Sequence, residues 1–74
     1  MLGKPKFKEG EVVKFIAGAK VKEGEIFIVD KWGSFWDDKD VNYDIMVEKD
    51  NMLYKHISEK SVISKVGKDE NSVE

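Results

Sequence analysis

The chain has no cysteine and no arginine, and it has a single proline, Pro5, and a single histidine, His56, among its 74 residues. Without cysteine there is no disulfide framework, no thiolate zinc site and no cysteine nucleophile. One histidine excludes the usual histidine-rich metal sites and leaves the serines with no obvious general base to activate them. All 13 basic residues are lysines, so the side chain best suited to bidentate contact with phosphate or guanine is missing. No window approaches the ~18 apolar residues of a membrane span. Residues 1–6 are basic but lack the apolar run of a signal peptide. These absences predict a soluble, cytoplasmic, non-enzymatic protein with no cofactor, no metal and no membrane partner.

What is present is enough for one small core. Hydrophobic residues make up 41% of the chain and aromatic residues 11%, against 38% charged. A chain this short buries only ~60% of its unfolded surface, so it forms one domain whose stability rests on packing alone. Net charge is −2, unevenly spread. Residues 1–24 carry six lysines against three carboxylates, residues 25–54 three lysines against eight, and residues 55–74 four of each.

Hydrophobic pattern and turn chemistry predict strands. Glu9, Gly10 and Glu11 signal a turn, and residues 12–16 then read as a strand with Val13 and Phe15 on one face. Residues 17–23, with Gly18 and three charges, read as a loop closed by Gly24. Residues 25–29 are apolar at four consecutive positions after Glu25, which predicts a long strand buried on both faces and bent between two sheets. From Val41 the period is two: Val41, Tyr43, Ile45 and Val47 share a face. Lys49, Asp50 and Asn51 supply a tight turn, because Asp and Asn tolerate left-handed backbone. Residues 52–57 return as the partner strand, residues 58–61 form a short 3₁₀ turn, and residues 62–66 close the fold. Residues 1–6 are predicted to be a flexible lead and residues 67–74 a disordered tail.

Five short strands with a 3₁₀ turn before the last resemble an SH3-like barrel. The N-terminal half, with Phe7, Glu9, Gly10, Glu11, Val12 and Val13, then Gly18, then Gly24 opening Ile26, Phe27, Ile28 and Val29, is similar to KOW and Tudor-like domains, and small bacterial and phage proteins carry such barrels. The resemblance covers residues 7–66. It implies an all-β, five-stranded domain that binds other macromolecules. KOW domains carry basic residues around the equivalent loops; Lys20 and Lys22 fit that pattern, and the acidic middle of the chain departs from it.

Three candidate sites follow. Residues 32–40 obey neither strand nor helix period, yet hold both tryptophans of the chain and three aspartates. Trp32, Phe35 and Trp36 beside Asp37, Asp38 and Asp40 suit a stacking surface for a partner's cationic side chain. That points to a protein–protein interaction module. The alternative is a nucleic-acid-binding accessory domain using Lys4, Lys6, Lys8, Lys14, Lys20 and Lys22, whose phosphate contacts would weaken steeply with salt. Alternating oxygen-bearing residues from Asp38 to Asp44 resemble a calcium loop. However, Tyr43 stands where the loop needs glycine and Lys49 where it needs a bidentate glutamate. His56 has no identifiable catalytic partner. Exposed strand edges leave self-association open.

Overall fold

The computed structural model describes residues 4–31 and 40–66. Its strands are β1 (Val12–Ala17), β2 (Lys20–Asp30), β3 (Asn42–Val47), β4 (Met52–Ser58) and β5 (Val62–Lys65). All neighbours are antiparallel in one sheet of order β4-β3-β2-β1-β5. Short 3₁₀ turns, Glu48–Asp50 and Glu59–Ser61, precede β4 and β5. Among the described residues there is no α-helix and no ladder between β4 and β5, so the sheet is not closed into a barrel.

The chain enters β1 through a tight turn. The Glu11 N–H donates to the Lys8 carbonyl at 3.1 Å, and Gly10 takes φ 91°, as the third residue of a type II turn requires. The Glu11 carboxylate closes the turn by accepting the Lys8 N–H at 2.8 Å. In β1 the expected alternation holds: Val13 and Phe15 are fully buried, and Lys14 between them is exposed.

The expected loop over residues 17–23 is instead a hairpin. Ala17 pairs with Lys20, leaving Gly18 and Ala19 as a two-residue turn, with only Gly18 at positive φ (63°), the pattern of type II′. Lys20, Lys22 and Glu23 look loop-like because this end of the hairpin is largely solvated, so the usual apolar alternation is not demanded there.

At ~3.3 Å per residue the 11-residue β2 is too long for one partner. Its first half pairs with β1 and its second with β3. Gly24 lies mid-strand rather than at its start: a Cβ here would strike the Met46 carbonyl oxygen and come within 2.8 Å of Ile45 Cγ2. Burial on both faces was the expectation for residues 25–29, and it fails. Ile26 is buried, but Phe27 and Ile28 are 45% and 50% exposed. The register slips between Ile26 and Ile28, so a bulge at Phe27 lets two consecutive apolar side chains both reach solvent.

In β3 and just before it, Val41, Tyr43, Ile45 and Val47 are all buried, as the period of two predicts. Asn42, on the opposite phase, is also buried, with its Nδ2 donating to the Asp40 carbonyl at 2.8 Å. The β3–β4 turn ends on Asn51 at φ 53°, whose N–H donates to the Glu48 carbonyl at 3.0 Å. A second bulge falls in β4, where His56 takes φ 59° and its N–H donates to Asp44 Oδ1 at 3.1 Å. The 3₁₀ turn and β5 lie where the sequence places them. The pairing of β5 runs on through the Val66 N–H, which donates to the Val12 carbonyl at 2.8 Å.

The core gathers Val13, Phe15, Ile26, Tyr43, Ile45 and Val62, with Phe7, Ala17, Val29, Tyr54 and Ile57 packed around it. Phe7 meets the Tyr43 ring edge-on at 6.0 Å, and Phe15 meets Tyr54 likewise at 5.6 Å.

Candidate functional site

The connection from β2 to β3 is the segment singled out by its tryptophans and aspartates. Trp32, Phe35, Trp36, Asp37 and Asp38 lie outside the described residues. Asp40, the last of that set, is described, as are both roots of the connection. Asp30 pairs with Asn42 as the final rung of the β2–β3 ladder. On the far side Asp40 is held by its own carboxylate: Oδ1 accepts the Val41 N–H at 3.0 Å, and Oδ2 accepts the Ser58 hydroxyl at 2.6 Å and the Lys60 N–H at 3.3 Å. The Ser58 hydroxyl, followed by the two backbone N–H groups, holds this carboxyl below its ordinary value and keeps it ionised. Both of its carboxylate oxygens are thus committed to hydrogen bonds within the fold.

Glu59 braces the same corner. Its N–H donates to the Val41 carbonyl at 2.8 Å, and its Oε2 accepts the Tyr43 hydroxyl at 2.5 Å and the Lys6 N–H at 2.9 Å. Burial, followed by this carboxylate, pushes the Tyr43 phenol well above the ordinary tyrosine range, so it remains a donor. Sequence reading passes over Glu59; the only signal was a carboxylate opening the 3₁₀ turn, which is common on any surface.

The lysines do not form one patch. Lys4, Lys8 and Lys31 rim an open groove of about 660 Å³, floored by Phe7 and Val29 and adjoining the start of the β2–β3 connection. Lys14, Lys20 and Lys22 line a second groove of about 680 Å³ beside the β1–β2 hairpin, together with Lys49, Glu23 and Asp50. Lys6 is exposed, with its backbone tied to Glu59. Of the six lysines grouped by the sequence, two lie at one groove, three at the other, and Lys6 at neither. Lys31 and Lys49, which sequence reading left aside, complete the two rims.

At the hairpin end Lys22 Nζ lies 2.7 Å from Asp50 Oδ2, and the Tyr54 hydroxyl donates to the same oxygen at 2.7 Å. Lys22 also sits 5.9 Å above the Tyr54 ring. Asp50 raises Lys22, and Lys22, ahead of Tyr54, lowers Asp50, so both stay charged across the neutral range. The cluster ties the β3–β4 turn to β2. Among the described residues no group of three or more histidine or acidic side chains stands close enough to hold a metal ion. His56 is exposed at its bulge, with the Asp44 carboxylate accepting its backbone N–H.

Comparison with protein-family models, with curated protein sequences and with solved structures gives no match to this chain.

Proposed function

We propose that the chain is a small non-enzymatic binding module, an SH3-like barrel of KOW or Tudor-like type, that engages another protein through residues 32–40. The strand order β4-β3-β2-β1-β5, the long β2 divided between two partners and the 3₁₀ turn before β5 support the barrel reading. The binding reading is carried by one observation. The connection holding both tryptophans is rooted on one side by the last β2–β3 rung and on the other by the Asp40 network, so the scaffold fixes where it begins and ends. A partner segment with lysine or arginine side chains suits it, because carboxylates favour the cation and indole faces stack on it.

The test is a titration with cationic peptides, methylated and unmethylated, read by tryptophan fluorescence and by amide shifts. Binding is expected to move signals from residues 30–41, and Trp36→Ala to weaken it about thirty-fold, the scale of a buried aromatic anchor. Binding that leaves those signals still, or that survives Trp36→Ala unchanged, refutes the assignment.

A further inference from the structure

The β1–β2 hairpin outruns its neighbours in the sheet. β5 pairs with β1 only as far as Phe15, and β3 pairs with β2 only from Glu25 onward. Beyond those rungs, Ile16, Val21 and the turn between them form a two-stranded end of the sheet, one face of which still packs on the core through Ala17. Ile16 and Val21 are direct cross-strand partners, so their side chains share one face. They are 46% and 62% exposed. Val21 also lines the hairpin groove, where four lysines face two carboxylates. One of those carboxylates, Asp50, is already taken by Lys22. Lys14 and Glu23 share the face of the aliphatic pair and Lys20 and Lys22 the other, so the end of this hairpin is aliphatic on one face and cationic on the other, in a chain of net charge −2.

Three classes of occupant suit a cationic surface, and the geometry separates them. A stable protein interface needs about 800 Å² from each partner, far more than two aliphatic side chains supply. Single-stranded nucleic acid is held by bases stacked on aromatic rings. Among the described residues no aromatic side chain lines this groove, and Tyr54, beneath Lys22, is packed edge-on against Phe15 and bonded through its hydroxyl to Asp50. Phosphate contacts from lysine would leave the exposed aliphatic pair without a role. A bilayer surface uses both features: aliphatic side chains enter between the headgroups, and lysines stay in the anionic layer, with no demand for shape complementarity.

We infer that the β1–β2 hairpin tip is a reversible, peripheral contact for an anionic lipid bilayer. It is surface contact and not a span; among the described residues no helix is long and apolar enough to cross a membrane. The expectation of no membrane partner rested on the missing span and does not bear on a contact of this kind.

The experiment is co-sedimentation of the full chain with vesicles of phosphatidylcholine alone and of equal parts phosphatidylcholine and phosphatidylserine, at low and high salt. Only the phosphatidylserine vesicles should carry the chain down, and added salt should release it. Lys20→Gln with Lys49→Gln should lower the partition coefficient roughly 25-fold, at about five-fold per lysine. Ile16→Ser with Val21→Ser should lower it about ten-fold. All four side chains are exposed, so a circular dichroism spectrum like that of the parent is expected, and either double variant that retains it decides the matter. No sedimentation with phosphatidylserine at low salt overturns the proposal, as does full partition of a folded double variant. Tighter binding to a single-stranded oligonucleotide or to polyglutamate than to these vesicles also overturns it, and gives the surface to a nucleic acid or an acidic polypeptide.

Discussion

Gly24 shows how a single residue sets the shape of the molecule. Most glycines in a strand weaken it, through lost packing and backbone entropy. Here the absent side chain is what lets β2 lie against the Met46 carbonyl and Ile45 where the strand passes from β1 to β3. Gly24→Ala forces a methyl group into that contact and is expected to destabilise the fold by about 1–3 kcal/mol, the usual cost of overpacking. Urea denaturation measures it; a loss under about 0.5 kcal/mol, the range of ordinary surface changes, would mean that the two strands can part at no cost. The sequence marks Gly24 as a boundary, since glycine before an apolar run usually is one. Only the neighbouring strand reveals close approach as its purpose.

At the scale of elements, the 3₁₀ turn before β5 depends on two carboxylates from different directions. Asp40 caps it by accepting the Ser58 hydroxyl and the Lys60 N–H, and Glu59 ties it to Tyr43 and Lys6. In the folded state the Asp40 carboxyl sits below its ordinary value of 3.8, chiefly through Ser58. A carboxyl lowered by folding contributes stability that is present above its unfolded value and is lost as pH falls through the folded one. Thermal stability should therefore fall below about pH 4, and Asp40→Asn should flatten that acid limb while lowering stability at neutral pH. An acid limb unchanged in Asp40→Asn would assign the loss to other carboxylates, such as Glu11, which is lowered chiefly by the Lys8 N–H. The turn itself was legible in the polar residues between two apolar runs. Its bracing was not, because Asp40 and Lys60 are far apart in the chain and meet only when β3 and β4 pair.

The whole molecule has little stability to spare. At roughly 0.05–0.15 kcal/mol per residue, a chain of this length holds about 4–11 kcal/mol. Phe15 of β1 is fully buried with its ring against Tyr54, and Phe15→Ala should cost about 3–5 kcal/mol. That is a large share of the total, so the variant's thermal midpoint should fall well below that of the parent by circular dichroism. A cooperative Phe15→Ala transition with an unshifted midpoint would show that the core does not hang on this ring. The neighbouring Ile16 points the other way and is exposed, so Ile16→Ala should fall within about 0.5 kcal/mol of the parent. The contrast between adjacent residues checks the face assignment of β1 directly.

Period and turn chemistry in the sequence determined the all-β class, the positions of β1, β3, β4 and β5 and the second half of β2, and the buried face of β1 and β3. These features are local: an extended chain alternates its faces, and Asn51 or Gly10 admits the backbone a turn needs. Tertiary structure alone decided the rest. The β1–β2 hairpin could not be told from a loop, because its tip has no third strand to demand an apolar face. The bulge at Phe27 reversed the expected burial of Phe27 and Ile28, because register is fixed by the β3 partner rather than by β2 itself. The lysines of the N-terminal third, except Lys6, parted into two grooves, since charge carries no information on direction until strand pairing supplies it.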